Sequence, residues 1–135
     1  MDLDFSSFDP SMALDAILFC DEREIVTRTP SLPPYLALEA MAQTCGMHLR
    51  HRHGFQIQAY LVSVADLLYA PDLGTEPLTI RASMIAETKA GASYAVTVND
   101  DPTCRILIGH DARPASLDTL FQSRFTCLIK NSSNA

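Results

Sequence analysis

Residues 31–50, SLPPYLALEAMAQTCGMHLR, constrain the fold more than any other part of the chain. Pro33 and Pro34 suit the opening turn of a helix, where a missing N–H costs nothing because the first donors have no intrahelical partner. Behind them come good helix formers that are apolar on nearly every side: Leu36, Ala37, Leu38, Ala40, Met41, Ala42, Cys45, Met47 and Leu49. A helix apolar all round belongs inside a protein, so one long central helix is expected over residues 34–51. Ala37, Ala40, Ala42 and Gly46 are small enough to let a sheet approach its backbone. One carboxylate, Glu39, interrupts the apolar run, with Gln43 four residues later on the same face. A charge in a buried helix is costly unless it is paired, hydrogen-bonded or put to use. Glu39 is therefore the leading candidate for a functional residue, expected in the interior.

The chain around this helix has 135 residues, enough for one domain with a single sizeable core. A net charge of −6 leaves no basic stripe with which to displace counterions from nucleic acid, so nucleic-acid binding is not expected. No apolar run approaches the ~20 residues needed to span a bilayer. The first residues, MDLDFSSFDP, are acidic where a signal peptide is basic, and the expected location is cytoplasmic. Cys20, Cys45, Cys104 and Cys127 are widely spaced in apolar surroundings and are expected to be reduced core thiols.

Taken in order, residues 16–29 read as a hairpin turning at 21–23, and Pro30, Pro33 and Pro34 then lead into the helix. At its far end Arg50, His51, Arg52 and His53 suit the negative pole of the helix dipole, and Gly54 suits a stop. Strands follow at 58–64, 78–88, 93–99 and 104–110, the first continuing past a bend through 65–70. Turns separate them at 71–77, 89–91 and 100–102. Leu117, Leu120, Phe121, Phe125 and Leu128 have helical spacing, which predicts an amphipathic helix over 116–130 on the outside, with 131–135 disordered. The order specifies an α+β domain over 1–135, its core at about 12–110: an antiparallel sheet curled around one long central helix.

At this point the residues carry a resemblance. LALEAMAQTCG resembles the central-helix motif of the hot-dog-fold 3-hydroxyacyl-ACP dehydratases, roughly L-I/V-x-E-A-M/L-A-Q-x-x-G. AYLVSVADLLYAPDLGTEPLTIRASM is similar to the strand, bend, proline-bearing turn and strand that follow it there, and DPSMALDAILFC more weakly to the segment before it. The nearest likeness is to the short dehydratase-like proteins of aryl-polyene gene clusters, which lack the long loop before the helix. The resemblance implies a substrate carried as an acyl thioester on ACP or CoA, no cofactor, and a dimer with its active sites at the subunit interface. It implies Glu39 as the acid that protonates the departing C3 hydroxyl, with a His from the preceding loop taking the C2 proton. Gln43, Pro34 and Tyr35 become substrate-binding positions, and backbone N–H groups near the helix start would polarise the thioester carbonyl. The short relatives place their His eight positions before the acid, in H-x-P-x-x-x-x-x-E; here that position is Ser31. Serine cannot replace imidazole at neutral pH without a base of its own.

Three functions stay open on this reading. The chain is a half-site or non-catalytic subunit that works with a complete dehydratase; or a thioesterase whose Glu39 activates water; or a module that holds acyl thioesters without reacting. Its assembly is expected to be a homodimer, or a heterodimer with a His-bearing dehydratase relative. His48, His51 and His53 do not converge like metal ligands and read as solvated partners of the helix dipole, beside Arg50 and Arg52; no metal site is expected. His110 ends the last strand as a surface histidine and is the first substitute to consider for the missing base.

Overall fold

The computed structural model describes residues 13–33, 36–67, 76–112 and 118–133. Strands β1 (Ala16–Cys20) and β2 (Glu24–Arg28) form the expected hairpin. Its turn is fastened by Asp21, whose Oδ1 accepts the backbone N–H groups of Arg23 and Glu24, both at 2.8 Å. Helix α1 (Ala37–Arg52) follows, then strands β3 (Ile57–Ala65), β4 (Thr79–Thr88), β5 (Gly91–Val98) and β6 (Asp101–Ala112), and helix α2 (Asp118–Ser133). All strand pairs are antiparallel, in the order β1-β2-β4-β5-β6-β3. Strands β2 and β3, which α1 connects, lie far apart in that order, so the helix must cross the face of the sheet. It touches every strand from β2 to β6 along the way.

The core lies between that face and the helix. Alternate residues of the strands supply one wall: Ile80 and Ala82 from β4, Tyr94, Val96 and Val98 from β5, Ile106 and Ile108 from β6. Ala40, Met41, Cys45 and Leu49 supply the other. Inside it Thr27 and Thr44 share a hydrogen bond of 2.8 Å, and Thr44 also bonds the carbonyl of Ala40 at 2.8 Å, so neither hydroxyl is left unsatisfied. Helix α2 packs against β1. Phe125 stacks on His51 at a centroid distance of 4.8 Å and meets Phe55 edge-on at 5.4 Å, which fixes α2 against the end of α1. At that end Gly54 takes the left-handed conformation (φ 63°) that a helix stop requires.

Several expectations are corrected. The helix is 16 residues long and begins at Ala37, after a single 3₁₀ turn at Leu36, rather than at residue 34. It is not apolar-enclosed on all sides: one sheet covers one face, so Glu39 is exposed and Gln43 and Arg50 are half-buried. The turn expected at 100–102 lies at Asn99 and Asp100, both left-handed (φ 51° and 69°), the two-residue turn whose twist matches its strands. Pro102 consequently belongs to β6, where it is tolerated because the pairing with β3 runs only as far as Arg105. Residues 131–133, expected to be disordered, complete α2, and the Asn131 side chain donates to the Asp15 carbonyl at 2.9 Å. Of the four thiols, Cys45 and Cys104 are core residues, but Cys20 is half-buried and Cys127 exposed, because α2 turns that position outward. Among the described residues no helix is long and apolar enough to cross a membrane. The lead-in before Ala13, Pro34, Tyr35, residues 68–75 and Leu117 lie outside the described residues.

Candidate functional site

The open side of α1 carries a cleft of about 320 Å³. Helix α1 contributes Glu39, Ala42, Gln43, Gly46 and Arg50, which recur at three- and four-residue spacing along one stripe. Edge strand β3 contributes Ala59, Tyr60 and Leu61, β6 contributes Ile108, and α2 contributes Arg124. Gly46 permits the close approach: a Cβ there would already touch that of Ala59 at 3.6 Å.

Polar groups in the cleft are linked. The Gln43 amide donates from Nε2 to Glu39 Oε1 at 3.0 Å, and Arg124 Nη2 donates to Gln43 Oε1 at 3.3 Å. Arg50 reaches across to the Ala59 carbonyl at 3.3 Å. The sequence pair Glu39–Gln43 is thus brought together as its spacing requires. Arg124 is the residue that sequence reasoning missed, because nothing local on α2 distinguishes it from a solvated arginine. Ser31 is exposed in the loop before α1; it does not line the cleft. Two further candidates, Pro34 and Tyr35, lie outside the described residues.

The histidines are used differently from the expectation. His48 is not solvated but fully buried. Its Nδ1 lies 2.7 Å from the Tyr94 hydroxyl and its Nε2 2.9 Å from the Asp21 carbonyl, so Nε2–H donates and Nδ1 accepts from the phenol. Burial is the main influence and holds its pKa below the ordinary histidine value; the Asp21 carbonyl pulls the other way. The same burial pushes the Tyr94 phenol up. His53 bonds Glu87 at 3.0 Å, and Arg52, expected to be solvated, bonds the same carboxylate at 2.7 Å and the Glu22 carbonyl at 2.8 Å. These contacts lower the Glu87 pKa, Arg52 first. His110 rests against His53, ring centroids 4.8 Å apart, outside the cleft lining. Cys20 Sγ is 3.8 Å from His51 Nδ1, yet burial and the neighbouring Asp21 raise the thiol to about 11, which makes it a poor nucleophile. Among the described residues no cluster of three or more His, Cys, Asp or Glu side chains is arranged to hold a metal.

No protein-family model and no curated protein sequence matches this chain. Solved structures share its fold. The dehydratase heterocomplex ApeI:P from Xenorhabdus doucetiae superposes with a TM-score of 0.58 at 13% identity, over 84% of this chain and 90% of that one. Thioesterase HI1161 from Haemophilus influenzae gives 0.60 at 12% identity, over 80% and 86%. The protein smu.793 from Streptococcus mutans, solved with acetyl CoA, gives 0.54 at 12%, over 73% and 89%. What these likenesses show is the hot-dog arrangement: an α+β chain with a six-stranded antiparallel sheet and a helix laid across it.

Proposed function

We propose that this chain is an acyl-thioester-processing subunit that supplies Glu39 to an active site completed by a second subunit. The observation that carries this reading is the position of Glu39. It is exposed in the single chain, in a cleft whose rim includes β3, and β3 is the strand at the end of the sheet. A partner pairing along β3 would wall the cleft and withdraw Glu39 from bulk water. The apolar side chains of this edge support it: Tyr60, Leu61 and Val62 are 44–52% exposed, an edge that an isolated protein would have reason to protect.

In the dehydratase form, a histidine of the partner, at the position Ser31 occupies here, removes the C2 proton of a 3-hydroxyacyl thioester. Glu39 protonates the C3 hydroxyl, which departs as water and leaves the 2-enoyl thioester. The base is then the Glu39 carboxylate's counterpart across the interface, and this chain alone has half the pair. The dehydratase heterocomplex among the structural neighbours is consistent with such a division. The test is turnover of a 3-hydroxyacyl thioester by this chain alone, by its complex with a His-bearing relative, and by the same complex with the relative's own carboxylate removed. The chain alone should be inactive, since losing a positioned acid–base group costs about 10²–10⁴-fold. The complex lacking the relative's acid should keep activity, and Glu39→Ala should then abolish it. Loss of activity before Glu39 is touched would remove Glu39 from the chemistry.

A second reading, hydrolysis, is favoured by one contact. The Gln43 NH₂ group can only donate, so its 3.0 Å bond makes Glu39 the acceptor and would hold the side chain in place for taking a proton from water. Acyl-CoA hydrolysis by this chain that collapses in Glu39→Gln would establish it; equal rates would exclude it.

A further inference from the structure

We propose that Arg124, carried by α2, is a positioning residue that sets which end of the Gln43 amide faces Glu39. This rests on the reading of Glu39 given above, but its geometry is separate. The two ends of a glutamine amide are nearly the same size and opposite in hydrogen-bonding character, so a side chain reaching a carboxylate needs something to fix its orientation. Arginine carries donors alone. With Arg124 Nη2 at 3.3 Å from Gln43, only the amide oxygen can be turned toward it, and the NH₂ end is left for Glu39 at 3.0 Å. Reversing the amide would set its NH₂ group against the guanidinium, donor against donor, in place of the Arg124 bond.

The aim of Arg124 comes from its neighbours on α2. Phe125 and Leu128 are buried, and Phe125 is held between the His51 and Phe55 rings. That anchor sets the rotation of α2 and brings position 124 over the α1 stripe. The C-terminal helix thereby takes part in the site through Gln43, although it lies beyond the segment that carries the sequence resemblance.

The experiment compares wild type, Arg124→Lys, Arg124→Ala, Gln43→Leu and the Arg124→Ala/Gln43→Leu pair. The Gln43 side-chain amide is followed by ¹⁵N NMR, and thioester turnover is followed in the presence of the partner. Arg124→Ala should move the Gln43 amide resonances and lower kcat about tenfold or more, with KM little changed, because a misplaced group costs rate rather than binding. Arg124→Lys, which keeps a donor, should restore part of both. Adding Arg124→Ala to Gln43→Leu should cost nothing further. Unmoved Gln43 resonances in a folded Arg124→Ala protein, or an equal loss of turnover with and without Gln43, would overturn the proposal. If wild type shows no turnover with any partner, the functional reading fails, and the amide resonances still decide the role of Arg124.

Discussion

Single residues here illustrate how one side-chain type serves opposite purposes. His48 and His51 lie three positions apart on one helix, yet the first is sealed in the core between Tyr94 and the Asp21 carbonyl while the second is exposed and stacks on Phe125. Burial holds the His48 pKa down, with Arg52 and His51 adding to the effect and Asp21 opposing it. The unfolded chain, with an ordinary value of about 6.5, therefore binds a proton at a pH where folded His48 does not. Stability drawn from neutral His48 is present above that value and is lost as pH falls toward the folded value. Comparing urea denaturation of wild type and His48→Gln between pH 7 and pH 5 should show the wild-type advantage shrinking as the solution is acidified. An advantage that is constant or growing would contradict the burial argument. Tyr94→Phe removes the phenolic donor and leaves Nδ1 without it, at a cost of about 1–3 kcal/mol.

At the scale of elements, the β5–β6 pairing depends on two glycines that face each other, Gly91 and Gly109. A Cβ on Gly91 would collide with the Ile108 carbonyl oxygen, which is fixed backbone; a Cβ on Gly109 would meet the Tyr60 ring, 2.6 Å from Cε2. The Tyr60 side chain is half exposed and can swing aside, whereas the Ile108 carbonyl cannot without disturbing the ladder. Gly91→Ala should therefore destabilise by about 1–3 kcal/mol or more, and Gly109→Ala by distinctly less. Melting temperatures of the two variants check the order, and a reversed order would mean that the sheet adjusts at β5 more easily than the ring does.

For the whole molecule the decisive feature is its pair of sheet edges. β1, at one edge, packs against α2 and leaves Leu18 and Phe19 exposed. β3, at the other, presents Tyr60, Leu61 and Val62. Pairing of a second subunit along β3 would cover these side chains and wall the cleft at once, so assembly and the site should be lost together. Val62→Lys places a charge on that edge. On the function proposed above, the substitution is expected to prevent this chain from assembling with its partner subunit, as followed by sedimentation of the mixture, while leaving the circular dichroism spectrum of the fold intact, and to suppress the thioester turnover of the assembly. A Val62→Lys protein that sediments like wild type would place the interface elsewhere.

Periodicity along the chain determined most of the elements, because alternation and helical spacing are local properties. The hairpin at the start, the buried apolar residues of α1, the strands and the Phe125–Leu128 face of α2 all follow from the pattern of apolar residues. The same locality made Glu39 and Gln43 legible as a pair, four positions apart on one helix. Tertiary structure alone decided which side of α1 the sheet would cover, and so turned an expected interior carboxylate into an exposed one beside an open strand edge. It also decided that His48 would be buried and His51 would not, and that Arg124, 81 positions along the chain from Gln43, would reach it. Neither spacing nor composition encodes such meetings, since they arise when two elements are pressed together by the apolar faces each must hide.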